Sequence, residues 1–181
     1  MGHLLIDALW GRDTPRRPLW LMRQAGRILP EYRALRETHS FEELCAEPEL
    51  AATVTLQPLQ RFPLDAAIVF ADLMTPVEAL GIEVEFAPGP VVSRPLDDPA
   101  LIRALPRPEP EQIAPKVMET LRLVVRELDG RVPVLGFAGG PWSIAAYLVQ
   151  GQGKREFPGL RALAVREPEA ADELLGRLTE L

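Results

Sequence analysis

Cysteine is almost missing from this chain: Cys45 is the single thiol, so neither an internal disulfide nor a thiolate metal cluster can form. Histidine is nearly as scarce. His3 and His39 are far apart and fit no ligand spacing such as HExxH, so no metal or cofactor site is expected. No apolar run reaches the roughly 18 residues that a membrane helix requires. The opening MGHLLIDALWGRD lacks the basic start and sustained apolar stretch of a secretory signal. Ile6 stands where a myristoylation motif needs Ser or Thr. These absences point to a reducing cytoplasm and away from a membrane. Only Lys116 and Lys154 are lysines, so arginine supplies nearly all the positive charge, and position must decide which arginines carry chemistry.

The chain is acidic, with a net charge of −6 and a pI near 5.1, which argues against nucleic acid as a partner. The acidity is uneven. Between Arg12 and Arg36 there are seven arginines against Asp13 and Glu31, a local +5 that leaves −11 for the remainder. Such asymmetry suits a compact anionic ligand better than a long polyanion, the alternative being a solvated arginine face.

The apolar and turn patterns alternate. LLIDALW reads as a short helix ended by Gly11, and PLWLM as a buried strand. Pro30 opens a helix through EYRALRE, and Ser40 with Glu43 makes a capping box for SFEELC. PELAATVTLQPLQRF is a longer helix that Pro58 should kink or end early. AAIVF is a second buried strand, and Thr75-Pro76-Val77-Glu78 a capped helix start ended by Gly81. A hairpin is expected around Pro88-Gly89-Pro90, then a proline-rich linker and an amphipathic helix over about Glu111–Leu128. VPVLGF is a third strand, followed by AGGPW, a helix over Pro141–Val149, and two short helices that part near Pro168. Buried strands alternating with helices imply an α/β fold with parallel strands, and no composition shift marks a second domain.

Unusual residues follow all three strands: MRQAGR, then AD, then AGGPW. In α/β barrels the C-terminal strand ends build the active site. Arg23 and Arg27 lie four apart, so a helical turn would present both on one face, each able to grip a carboxylate with two hydrogen bonds. The competing reading is an internal salt-bridge network with residues such as Glu31. Asp72 closes an apolar strand without an evident capping duty, since Thr75 takes that role, so it either accepts N–H donors from a ligand or pairs with an arginine. The AGGPW glycines fit a tight strand-to-helix turn better than a phosphate loop, and Tyr147 reads either as core or as a hydroxyl reaching the site. No Ser-His-Asp set or Cys-His pair can be assembled.

PLWLMRQAGRILPEYR resembles the N-terminal signature of the uroporphyrinogen decarboxylase family. IVFADLMTPVEALGIEVEF and VLGFAGGPWSIAAYLVQG resemble two further family blocks in the expected order. Ile28 departs from the family's usual tyrosine, a change that bears on packing more than on chemistry. The resemblance implies a (β/α)8 TIM barrel acting as a homodimer without cofactor or metal. Its reaction removes carbon dioxide from the four acetate arms of uroporphyrinogen III to give coproporphyrinogen III in haem biosynthesis. It further implies that Arg23, Gln24, Ala25, Gly26 and Arg27 form a substrate loop, that Asp72 receives the pyrrole N–H groups and stabilises positive charge, and that Tyr147 contacts substrate.

Only about three of eight barrel strands, and none of the later family blocks, have counterparts here. Residues 1–181 are therefore expected to be the N-terminal portion of one barrel domain. Alone it should be inactive, with exposed edges and an apolar inner face, and possible partnership with a complementing C-terminal half follows. Alternatives are a noncatalytic porphyrinogen- or partner-binding fragment, or a zinc- and cobamide-dependent methyltransferase of the same superfamily.

Overall fold

The structure, a computed structural model, describes residues 2–86, 89–153 and 156–181. The chain divides into two compact units, Met1–Ala71 with Lys116–Phe137, and Asp72–Pro115 with Ala138–Leu181. No helix among the described residues is long and apolar enough to cross a membrane.

The first unit contains α1 (Leu4–Leu9), α2 (Pro30–Thr38), α3 (Phe41–Ala46), α4 (Pro48–Arg61) and β1 (Ala67–Ile68). It is completed by α6 (Pro115–Leu128) and β4 (Val134–Leu135), with the elements between belonging to the second unit. Ser40 and Glu43 form the expected reciprocal capping box on α3. β1 and β4 pair in parallel, Ala67 opposite Val134 and Ile68 opposite Leu135, which puts both strand ends at one edge of a two-stranded sheet. α4 covers β1: Thr55 donates its hydroxyl to the Ala51 carbonyl at 2.7 Å and accepts from the Phe70 amide at 2.9 Å. One apolar cluster gathers Leu29, Tyr32, Leu44 and Val54, with Phe70 packed against it. Another joins Ala52 and Ala67 to Val124 and Leu128.

Three sequence expectations change here. PLWLM is not a buried strand: residues 18–22 join no ladder, and Leu19, Leu21 and Met22 are exposed, Met22 by 78%. α4 does not end at Pro58 but continues to Arg61. The proline costs about 3 kcal/mol in a helix interior, but Pro58 is itself buried and the next residue, Leu59, packs on the second cluster. Leu59 is partly buried, so its packing offsets part of that cost. α6 begins at Pro115 rather than near Glu111: Ala114 has φ 85°, outside the right-handed helical region, so the helix does not extend back through it. A 3-10 turn over Pro110–Gln112 stands in place of the missing first turn.

The second unit holds the hairpin of β2 (Val84–Phe86) and β3 (Pro90–Val92), with α5 (Pro99–Arg103), α7 (Pro141–Gln150), α8 (Pro158–Arg166) and α9 (Pro168–Glu180). Of the predicted hairpin tip, Pro88 lies outside the described residues. Ile102, Ile144, Leu148, Leu160 and Leu174 make its core, and Arg177 of α9 reaches the carbonyls of Arg103 and Leu105 beyond α5. The Thr75 segment is a 3-10 helix, Thr75–Leu80, entered from Met74 without a side-chain cap and ended by left-handed Gly81.

Two leucines should separate the predicted from the observed core. Leu148→Ala should lower stability by about 2–5 kcal/mol in urea titration, whereas Leu21→Ala should change it by less than about 0.5 kcal/mol.

Candidate active-site residues

The segment before the arginines is held by polar ties. Asp65, only 9% exposed, accepts Arg16 Nη1 and Nη2 at 2.6 and 2.7 Å. It also accepts the Leu19 amide at 2.6 Å, and its own amide returns a bond of 2.7 Å to the Leu19 carbonyl. The Arg16 guanidinium, with a smaller contribution from the Leu19 amide, holds the Asp65 carboxyl below its usual range against the opposing effect of burial.

Gln24 makes the second tie. Its buried side chain donates Nε2 to the Ala66 carbonyl at 3.0 Å and accepts the Leu21 amide at Oε1, 3.3 Å. Residues 22–29 then run through successive turns rather than a helix. The argument from four-residue helical spacing therefore does not apply to Arg23 and Arg27. Gly26 has φ 134°, a conformation that side chains rarely adopt, and its carbonyl accepts the Leu29 amide at 3.0 Å. Leu29, 1% exposed, anchors the far end of the loop in the first unit's core. Arg33 of α2 donates to the Arg27 carbonyl at 2.9 Å and the Ile28 carbonyl at 3.4 Å, fixing the loop from outside.

The seven clustered arginines now separate by role. Arg12 pairs with Asp7 and Arg16 with Asp65, while Arg33 and Arg36 donate to backbone carbonyls. Glu31, the suggested internal partner, is held by Arg61 of α4 through contacts of 2.5–3.0 Å. Arg17, Arg23 and Arg27 are exposed and make no side-chain hydrogen bond or ion pair among the described residues. The two arginines singled out by sequence are thus free to meet an external anion.

Asp72 and Tyr147 lie in the second unit. Asp72 is half-buried, and its Oδ1 accepts the Met74 amide at 2.8 Å while its backbone carbonyl accepts the Thr75 hydroxyl at 2.9 Å. This corrects the sequence reading: Thr75 does not cap the helix but donates its hydroxyl to the Asp72 carbonyl, while the Asp72 side chain closes the turn that precedes the helix. Burial pushes the Asp72 carboxyl up, partly countered by the amides of Met74 and Leu73. Tyr147 is half-buried on α7 and packs edge-to-face on Phe157, ring centres 5.4 Å apart, and its hydroxyl makes no hydrogen bond among the described residues.

Gly139, in the AGGPW turn, is required by close approach. A Cβ there would stand 2.7 Å from Ile144 Cγ1 and 3.2 Å from the carbonyl of Leu73, the residue after Asp72. A cleft of about 320 Å³ in the same unit, walled by Leu80, Ile82, Leu96 and Leu101 with Arg94, contains none of the predicted site residues. Sequence reasoning missed Asp65 and Arg16. Asp65 offered a usable signal, an acidic residue directly before the apolar run AAIVF.

The family model described as uroporphyrinogen decarboxylase (URO-D) matches residues 2–181. A uroporphyrinogen decarboxylase from Geobacter sulfurreducens is 44% identical over 179 residues, covering 99% of this chain and 53% of its own. One from Syntrophotalea carbinolica is 49% identical over 175 residues, covering 97% of this chain and 51% of its own. This chain therefore spans about half the length of these relatives. A methyltransferase from Methanosarcina mazei superposes with a TM-score of 0.74 over 97% of this chain and 51% of its own. At 20% identity that likeness concerns the fold alone, which is α/β and TIM-barrel-like. With the family model matching residues 2–181 and relatives of this name 44% and 49% identical along the chain, the chain belongs to the uroporphyrinogen decarboxylase family.

Proposed function

We propose that this chain is the N-terminal portion of a single-domain uroporphyrinogen decarboxylase, a cytoplasmic carboxy-lyase that works as a homodimer on a (β/α)8 barrel. Residues 18–22, β1 and β4 would be its first three barrel strands. In this reading, residues 18–22 gain their ladder only when the rest of the barrel is present. The exposed side chains of Leu19, Leu21 and Met22 fit that role, being the apolar surface that a complementing C-terminal portion would cover.

The substrate would be uroporphyrinogen, whose carboxylates meet Arg23 and Arg27 as bidentate partners. Gln24, Ala25 and Gly26 form the loop between them, with Gln24 acting through its bonds to the fold. Asp72 would accept pyrrole N–H groups through its carboxylate, and Tyr147 would offer its hydroxyl, which has no hydrogen bond among the described residues. Protonation of an electron-rich pyrrole ring makes it an electron sink, so the bond to the departing carboxylate can break with its electrons flowing into the ring. A fixed aspartate anion beside that cation lowers the barrier electrostatically. No cofactor enters this scheme. The observation that carries the reading is that Arg23 and Arg27 have no ion-pair partner among the described residues, on a loop fixed at both ends.

A second reading is noncatalytic binding of porphyrinogen or of a partner, which Arg23 and Arg27, unpartnered among the described residues, would serve equally. Titration with coproporphyrinogen beside a carbon dioxide release assay, both on the chain completed with its C-terminal portion, separates the two, because binding without turnover there supports the second.

In the enzyme completed with the C-terminal portion, Arg23→Ala should raise KM by roughly tenfold or more, the loss of one charge-assisted contact. Asp72→Asn should lower kcat by about 10²–10³ with a smaller effect on KM. Because the fold disfavours the Asp72 anion, the same substitution should not reduce thermal stability at neutral pH. The required anion is lost as pH falls through its raised pKa, so the acid limb of kcat should lie above the ordinary aspartate value of about 3.9. Unchanged kinetics in both variants would remove the site assignment.

A further inference from the structure

We propose that Asp65, clamped by Arg16, is a positioning residue for the arginine loop: it fixes the chain at Leu19 and so determines where Arg23 and Arg27 stand. The inference rests on the reading of that loop as a grip for substrate carboxylates and deepens it.

The clamp is built from both directions at one residue. Leu19 gives its amide to the Asp65 carboxylate and takes the Asp65 amide on its carbonyl. Arg16, three residues before Leu19, closes on both carboxylate oxygens in a fork that lysine cannot reproduce. A carboxylate as buried as Asp65 is tolerated only when its oxygens are satisfied, and here three donors reach them.

Packing offers little substitute for these bonds. Leu19, Trp20, Leu21 and Met22 are all exposed, so burial does not hold the stretch that leads into Arg23. The next fixed point is Gln24 on the Ala66 carbonyl, the residue adjacent to Asp65. Two consecutive residues, Asp65 and Ala66, therefore hold both ends of the 19–24 segment, and both lie directly before β1. Arg23 lies inside that span and Arg27 lies between it and the buried Leu29. The Gln24 tie involves neutral partners, whereas the Asp65 tie is charge-assisted and the stronger of the two.

Asp65→Ala would empty a buried site and put the fold itself at risk, so Asp65→Asn carries the test. Its amide oxygen can still accept from Leu19 while the ion pair with Arg16 is lost. Hydrogen–deuterium exchange on the 181-residue chain should show peptides covering residues 19–27 exchanging roughly tenfold faster, with α7 to α9 unchanged. Wild-type exchange over 19–27, or a uniform rise along the whole chain, overturns the clamp. In the enzyme completed with the C-terminal portion, Asp65→Asn should raise the KM for uroporphyrinogen by roughly tenfold with a smaller change in kcat, and Arg16→Lys should fall between it and wild type. If Arg23→Ala raises KM and Asp65→Asn does not, the positioning role is overturned whatever the exchange shows. If neither changes KM, it is the carboxylate-grip reading that fails, and the clamp is then decided by exchange alone.

Discussion

A carboxylate taken below the surface must find donors for its oxygens, and Asp65 finds them in Arg16 and the Leu19 amide. Much of the first unit's local order follows from that one requirement. The stretch from Arg16 to Gln24 lacks both a helix and a ladder, the two usual ways of satisfying a backbone. It is drawn onto the start of β1 by side chains instead. The arginine loop begins from this tether and ends at Leu29 in the core, so its exposed cations are carried on a backbone with few alternatives. Gly26 completes the arrangement, because the loop turns through a φ that any Cβ would strain.

Two aspartates bracket β1 in the chain, and their environments push them apart. Asp65 is held low by the guanidinium of Arg16, while Asp72 is raised by burial without a cation beside it. Both are carboxylates in the same stretch of sequence, yet one is a structural anion and the other a poised one. Divergent pKa shifts in neighbouring groups are a physical mark of divided labour. Here the division agrees with the roles proposed for them, a fixed clamp and a charge held ready for a cationic intermediate.

The arginines show how position sorts a residue type that composition alone cannot. Arg12, Arg16, Arg33 and Arg36 are committed to carboxylates or carbonyls of the fold, and Arg61 takes up Glu31, the acid nearest the loop. Arg23 and Arg27 are left without partners among the described residues. A salt-bridge network would have satisfied them internally; the observed pairing does the reverse, removing the local anions that could have neutralised them.

Much of this was legible in the sequence. The Ser40–Glu43 box, the left-handed end at Gly81, the parallel pairing of two apolar runs and the break before Pro168 all follow from local stereochemistry and the period of apolar residues. What local rules could not supply was competition between distant groups. PLWLM has the composition of a buried strand, but its backbone is taken by Asp65 and Gln24, and no ladder partner covers it. Thr75 has the look of a cap, but its hydroxyl is taken by the Asp72 carbonyl, and the Asp72 side chain closes the turn before the helix. Which arginine would be neutralised depended on the approach of Arg61 to Glu31, thirty residues away. Sequence fixes what each segment can do over a few residues, where chain geometry alone sets the distances. Only the folded chain decides which of several capable donors arrives first at a buried acceptor, because that depends on separations that packing creates.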